Sequence, residues 1–450
     1  MSNNLYNSVI SYDSLQHAWK QVLGKDASGG IDNVSLESFG RNVSNNLEIL
    51  QRSLIDGSWI PQPYLDVKIP KSNNEERSIG LLSVNDKIVQ TSIKIAIEPI
   101  LERTFSRSSY AYRPGKGHLK CIRRALHETK IHKDGFHIRC DIDNFFVNIN
   151  RELLMKRLRQ VIKDESLLHL IDISMSIGSV GKDLKWIENN KGLPQGAILS
   201  PMLANFYLNS FDQSVETRNI AYLRYSDDIV LWTDTKEKAE SIAESMVEYL
   251  AAKMELAFNE PPVIAPCSDP FEFLGITISS TKASISDEKK LELSTCIREI
   301  ELIKNVPSNE YLKRIDGINR YYLSALTDEY RDLFNEMYND AVKEWKSKGI
   351  KISNKTIKDL SDRLLGKSSH NDRMRCHPQQ NTTTSSKQQL LSKRKAEYKR
   401  LESENSELVI AGAGYFIGAG QRGLIVKKAG QPLKLNSAAV KHISILSGGV

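Results

Sequence analysis

The segment Ala221–Trp232, AYLRYSDDIVLW, sets two adjacent aspartates between two runs of strand-forming residues and so reads as a hairpin with both carboxylates at its tip. Neighbouring like charges repel unless one takes up a proton or a cation neutralises both. A second segment, FHIRCDIDNFF from Phe136, alternates from its first residue. Phe136, Ile138, Cys140 and Ile142 share one face of a strand, and His137, Arg139, Asp141 and Asp143 share the other. If the two segments lie side by side, Asp141 joins Asp227 and Asp228 to make a three-carboxylate site. Divalent magnesium suits such a site, because it takes hard oxygen ligands and keeps positions free for phosphate oxygens. The chemistry implied is in-line nucleotidyl transfer from a 3′ hydroxyl. Taken singly, SDD is ordinary turn chemistry and DID an ordinary strand end; the order of the surrounding segments is what distinguishes them.

The charge balance needs its location before it means anything. Of the 62 Lys/Arg and 55 Asp/Glu, residues 366–400 hold nine basic against two acidic and residues 401–450 hold five against three, which leaves 48 against 50 in residues 1–365. Nucleic acid binding by the main body must therefore rest on local clusters of basic residues. The five cysteines are scattered singly, which suggests neither a disulfide framework nor a four-cysteine zinc site. No long apolar run and no signal-like start is present, so a cytoplasmic protein with no membrane contact is expected.

Apolar spacing predicts helices over 14–24, 35–57, 85–105, 151–171, 197–218 and 235–256, with two short strands over 64–80 and another around 271–279. Three further helices, over 287–305, 309–326 and 328–348, suggest a helical subdomain. Residues 366–386 read as a polar linker, a charged helix follows, and the β-branched, glycine-punctuated stretch 406–450 reads as a separate β-rich unit.

Six blocks in this order resemble a reverse transcriptase of the group II intron type: IPKSNNEERSIG, SYAYRPGKG, DIDNFF, GLPQGAILSPMLANFYL, YSDD and FEFLG. The resemblance implies an α+β right-hand polymerase. Fingers with an N-terminal extension would occupy 1–135, the palm 136–284 and a helical thumb 285–365, followed by a basic linker and helix over 366–405 and the β-rich unit over 406–450. It implies RNA-directed DNA synthesis with dNTPs on an RNA template, from a DNA or RNA primer, in a prokaryotic cytoplasm. The cofactor would be Mg2+, with Mn2+ as a substitute.

Carried over by residue, the resemblance makes Asp141 and Asp227 ligands of both ions, with Asp228 in support and the Ile142 carbonyl as a further ligand. Lys71 and Arg77 would hold the triphosphate, a task that suits cationic and bidentate donors. Asp143, Phe146, Gln195 and Gly196 would surround the nucleotide, with the Phe146 ring excluding a 2′ hydroxyl. Arg113, Lys116, Pro194 and Tyr225 would meet template or primer. One departure is plain. The family commonly places a lysine before the FLG strand to protonate the leaving pyrophosphate, and this sequence has Pro261 and Pro262 near that place.

The tail, GLIVKKAGQPLKLNSAAVKHISILSGGV, resembles the amino-terminal β-rich domain of the CRISPR adaptation integrase. That implies a reverse transcriptase–integrase fusion acquiring spacers from RNA, with integrase subunits and CRISPR array DNA as partners. The sequence stops within that first integrase domain, so integration is not expected of it alone. The alternatives are a standalone intron-derived or defence reverse transcriptase, and a catalytically silent nucleic-acid-binding scaffold. The three intact aspartates speak against the last.

Overall fold

Side-chain caps decide where the N-terminal helices begin. The computed structural model describes residues 5–24, 29–70, 76–181, 185–218, 220–303, 306–322 and 328–366. In it the chain opens with α1 (Leu5–Val9), α2 (Tyr12–Leu23), α3 (Leu36–Gly40) and α4 (Val43–Ile55). The Ser11 and Ser35 hydroxyls accept from the Ser14 and Ser38 amides to start α2 and α3. The pattern over 35–57 is broken between Gly40 and Val43 into two helices. Strands β1 (Tyr64–Pro70) and β2 (Glu76–Leu81) form the expected hairpin, with Ile69 opposite Arg77. Ser83 then caps α5 (Val84–Glu102), whose Ile88, Ile93 and Ile97 are fully buried in one core with Leu15, Leu47 and Leu54.

Helix α6 (His118–Ile131) has no counterpart among the elements read from the sequence. Its apolar signal is short, Cys121, Ile122 and Ala125, and lies among four Lys/Arg that keep the other face wet. Next come β3 (Phe136–Asp141), α7 (Phe145–Asn148), α8 (Arg151–Val161) and α9 (Glu165–Ser176). The single helical pattern over 151–171 is thus two helices, because Asp164 accepts from the Leu167 amide at 3.1 Å and caps a fresh start. The short strands β4 (Ser179–Val180) and β5 (Trp186–Ile187) extend the first sheet to the order β2-β1-β4-β5.

Helix α10 (Ser200–Glu216) leads to the hairpin β6 (Ala221–Tyr225) and β7 (Asp228–Thr233), then α11 (Lys236–Tyr249), a π-helical turn Leu250–Met254, and β8 (Val263–Pro266). The second sheet has the order β6-β7-β3-β8 and is antiparallel throughout. Alternation gives it two covered faces. Ile138, Tyr222, Ile229 and Leu231 enter the core shared with α10 and α11, while Leu223, Val230 and Trp232 pack with α6 and the C-terminal helices.

The FEFLG segment is itself a hairpin, β9 (Phe271–Phe273) and β10 (Ile276–Ile278), turned at Leu274 and Gly275 with φ of 52° and 66° and flanked by β11 (Ala283–Ser284). Helix α12 (Asp287–Arg298) stops short of the helix predicted to reach 305. Pro307 cannot continue a helix, and β12 (Leu302–Ile303) pairs instead antiparallel with β13 (Val306–Pro307). Helices α13 (Asn309–Tyr322), α14 (Asp328–Ser347) and α15 (Asn354–Leu364) complete the bundle; α15 was not anticipated. Tyr321 joins the bundle to the rest by donating its hydroxyl to the Leu274 carbonyl and stacking on His118 at 4.3 Å.

The architecture is α+β, as expected. The four described cysteines are free, and among the described residues no helix is long and apolar enough to cross a membrane. The linker, the charged helix and the β-rich unit anticipated over 367–450 lie outside the described residues.

Candidate active site

Antiparallel pairing of β3 with β7 puts Asp141 directly opposite Asp228, with Cα atoms about 5 Å apart. Tyr225 in turn pairs with Asp228, so only Ser226 and Asp227 form the hairpin loop. Two-residue loops favour a positive φ at their first residue, normally glycine. Here the non-glycine Ser226 adopts φ 62°, at a cost of roughly 1–2 kcal/mol. The end of β3 is fixed by Asn259, whose amide donates to the Asp141 carbonyl at 2.9 Å, and by the Asp143 amide, which donates to Ala257 at 3.0 Å.

Burial and mutual repulsion act together on the carboxyls. The Asp228 pKa is pushed up to about 7 by burial, then by Asp227 and Asp141. Asp141 is pushed up to about 6 by burial, Asp227 and Asp143, against the bond it accepts from the Ile142 amide. Groups so placed favour either a shared proton or a cation, and their hard oxygens suit Mg2+ or Mn2+. Among the described residues no three His, Cys, Asp or Glu side chains form a group that would by itself hold a metal ion. The acids form an open set on two strand ends, which suits an ion that keeps water and substrate oxygens among its ligands. The donor chemistry fits, and Asp141, Asp227 and Asp228 would share such an ion with water and substrate oxygens.

A series of backbone and side-chain bonds links most of the nucleotide candidates to one another and to the segment that follows β3. Asp143 is held by the Asn144 and Asn148 amides at 2.7 and 3.3 Å. The half-buried Phe146 packs edge-on to Phe145 at 5.5 Å, and its carbonyl accepts from the Leu193 amide at 2.7 Å, tying α7 to GLPQG. The Gln195 carbonyl accepts from the Gly80 amide of β2 at 2.7 Å, which brings the exposed Arg77 and the GLPQG loop into one unit. Gly196, at φ 106°, allows this approach; a Cβ there would lie 2.3 Å from the Gly80 carbonyl oxygen. Pro194 accepts from the Ser200 hydroxyl at 2.7 Å, and Tyr225 is half-buried. Lys71 lies outside the described residues.

One candidate, Arg113, is placed otherwise than expected. The Arg113 side chain is 6% exposed, paired to Glu102 at 2.7 Å, bonded to the Ser109 carbonyl at 2.7 Å, and stacked on Phe105. Lys116 donates to the Arg107 carbonyl at 2.8 Å and lies over Tyr110. Both cationic groups satisfy carbonyls of the 105–117 loop, but only Arg113 is enclosed; the Lys116 bond is solvent-exposed and leaves its ammonium within reach of a phosphate. The exposed aromatic of that loop is Tyr112, at φ 56° and 6.5 Å from the Tyr225 ring. The sequence reading passed over it, although it stands beside Arg113 in the same block.

A cavity of about 200 Å3 opens beside the acids, between the second sheet and β9, lined by Arg139, Asp141, Asp228, Glu260, Pro261 and Glu272. Pro261, near the place of the missing lysine, is part of its wall, and Arg139 is the cation there. A larger cavity, about 700 Å3, lies against α8, α9 and Asn190–Lys191, with Asn148, a partner of Asp143, in its wall.

The central region that carries the paired acids resembles known proteins. Residues 69–278 match the family described as "Reverse transcriptase (RNA-dependent DNA polymerase)". The chain carries a reverse transcriptase domain. That domain, the catalytic part of RNA-directed DNA polymerases, contains every site residue named above. Protein YkfC of Escherichia coli (strain K12) is 29% identical over 284 residues, which is 55% of this chain and 74% of YkfC. The group II intron-encoded protein LtrA of Lactococcus lactis subsp. cremoris is 33% identical over 168 residues, 36% of this chain and only 27% of LtrA. A solved "Partial Cas6-RT-Cas1--Cas2 complex" is similar at 23% identity, with a TM-score of 0.37 over 56% of this chain and 43% of that one. The reverse transcriptase domain ends before α12, so the helical bundle lies beyond the matched span.

Proposed function

We propose that this protein extends a 3′ hydroxyl with deoxynucleotides on an RNA template. The observation that supports this most is Asp141 facing Asp228 across β3 and β7 with Asp227 in the loop between the strands. Asp141, Asp227 and Asp228, with the Ile142 carbonyl, would hold the divalent ions. Bound there, such ions supply charge stabilisation to the attacking and leaving oxygens. The sheet β2-β1-β4-β5 acts as fingers, β6-β7-β3-β8 as palm, and α12–α15 as thumb.

Arg77, on an exposed strand joined to GLPQG, receives the triphosphate together with Lys71. Phe146 and Gln195 bound the sugar and base, and Tyr225 meets the primer end. Template phosphates fall to exposed basic residues other than Arg113. With proline near the place of the family's lysine, the leaving pyrophosphate meets Arg139, the cation among the acids that line the adjoining cavity, a charge stabiliser and no general acid, since its guanidinium keeps its proton.

The test is primer extension on an RNA template with Mg2+, comparing wild type with Asp227→Ala plus Asp228→Ala. Equal product from both proteins removes the assignment. The finer setting we propose is spacer acquisition from RNA in CRISPR adaptation, supported by the likeness of residues 423–450 to the adaptation integrase. Co-purification of the full chain with integrase subunits tests it. No association at micromolar concentration, with polymerase activity intact, favours a standalone intron-derived or defence enzyme.

A further inference from the structure

Arg224 lies one residue before Tyr225 and is 0% exposed. A guanidinium has five N–H donors, and all five are used. Nε and Nη2 donate to the two Asp212 oxygens at 2.7 and 2.6 Å, and Nη2 also donates to the Ser109 hydroxyl at 3.0 Å. Nη1 donates to Asn205 Oδ1 at 3.0 Å and to the Ser226 carbonyl at 2.9 Å. The partners are themselves fixed: Tyr222 donates its hydroxyl to Asp212 at 2.6 Å, and Asn205 donates to the Ala111 carbonyl at 2.6 Å. Arg224 also exchanges main-chain bonds of 2.9 Å with Ser108 and Tyr110.

Stability alone gives poor reason for this network, since apolar groups of similar volume generally replace a buried ion pair without loss. With every donor committed, Arg224 has none for Asp227 or Asp228. Its link to the acids runs through the carbonyl of Ser226, the residue held at φ 62°. We propose that Arg224, anchored by Asp212 and Asn205, is a positioning residue that locks the Ser226 loop in its left-handed form and so keeps Asp227 and Asp228 beside Asp141. This rests on the reading that those acids carry the reaction.

Arg224→Lys keeps a charge opposite Asp212 but gathers its donors on one nitrogen, which cannot reach from Asp212 to Ser226. It should lower kcat for primer extension about tenfold or more while KM for the nucleotide stays near wild type. Hydrogen–deuterium exchange at the Asp227 and Asp228 amides should quicken. A second variant, Arg224→Met with Asp212→Leu and Tyr222→Phe, leaves no buried charge unpaired. It should melt near the wild-type temperature and still show the low kcat. If kcat returns along with the melting temperature, or if Arg224→Lys exchanges and turns over as wild type does, the network is packing and the lock is overturned. Should wild type extend no primer, the functional reading falls separately, and the exchange rates still decide the lock.

Discussion

Asp228 stands across the β3–β7 ladder from Asp141, and burial with its acidic neighbours raises its pKa to about 7. A carboxyl whose folded pKa exceeds its unfolded value of about 4 binds a proton more readily when folded, so its contribution to stability falls as pH rises from about 4 to about 7. Without divalent ions, Asp228→Asn should therefore melt higher than wild type at about pH 8 and close to it at about pH 4. Added Mg2+ should reverse the order at the higher pH. Thermal melts in chelator and in Mg2+ at both pH values measure this, and an equal difference at both would mean that the carboxyl is not strained.

Phe146 follows the β3 acids on α7 and is anchored through its carbonyl to Leu193. Its ring is half-buried against Phe145, so it has a fixed place and an open side. Phe146→Ala should raise ribonucleotide incorporation relative to deoxynucleotide about tenfold or more, with kcat/KM for dNTPs falling less. Single-nucleotide extension with paired dNTP and rNTP gives the ratio; unchanged selectivity assigns the ring to packing.

Arg113 is committed to Glu102 and to loop carbonyls. Arg113→Ala leaves those partners unpaired and should cost about 2–4 kcal/mol of stability. At a temperature where the variant is folded, KM for template–primer should match wild type. A large rise in that KM with unchanged stability would return Arg113 to the nucleic-acid surface.

What could be read from the sequence follows from what periodicity and turn chemistry encode. Strand alternation with its bounding turns identified β3, the β6–β7 hairpin and the acids, because one register leaves the apolar residues inside. The same alternation hid Arg224, a charge at a position facing the interior, whose partners Asp212, Asn205 and Ser109 are distant in sequence. Arg113 misled for the same reason: a cation in a glycine-containing loop looks solvated until the carbonyls it satisfies are known. Helix α6 was missed because its apolar stripe is narrow, and the break at Asp164 because a cap inside a long apolar pattern resembles a surface acid.

Gly196 offers a test of the joint between β2 and the GLPQG loop. Its φ of 106° disfavours any side chain, and a Cβ would lie 2.3 Å from the Gly80 carbonyl oxygen, a contact that backbone must relieve by moving. Gly80 is three residues from Arg77 on β2, so that movement shifts the cation assigned to the triphosphate while leaving the acids of β3 and β7 in place. Gly196→Ala should accordingly raise KM for dNTPs about tenfold and change kcat less, because nucleotide binding is lost while the reacting acids remain paired. Gly317→Ala is the matched control: Gly317 lies within α13, an added Cβ there meets nothing within 4 Å, and alanine in a helix interior should add about 0.5–1 kcal/mol of stability with kinetics unchanged. A Gly196→Ala enzyme with normal KM and reduced kcat would place Gly196 in support of the acids instead, and the β2–GLPQG joint would then have no part in holding the nucleotide.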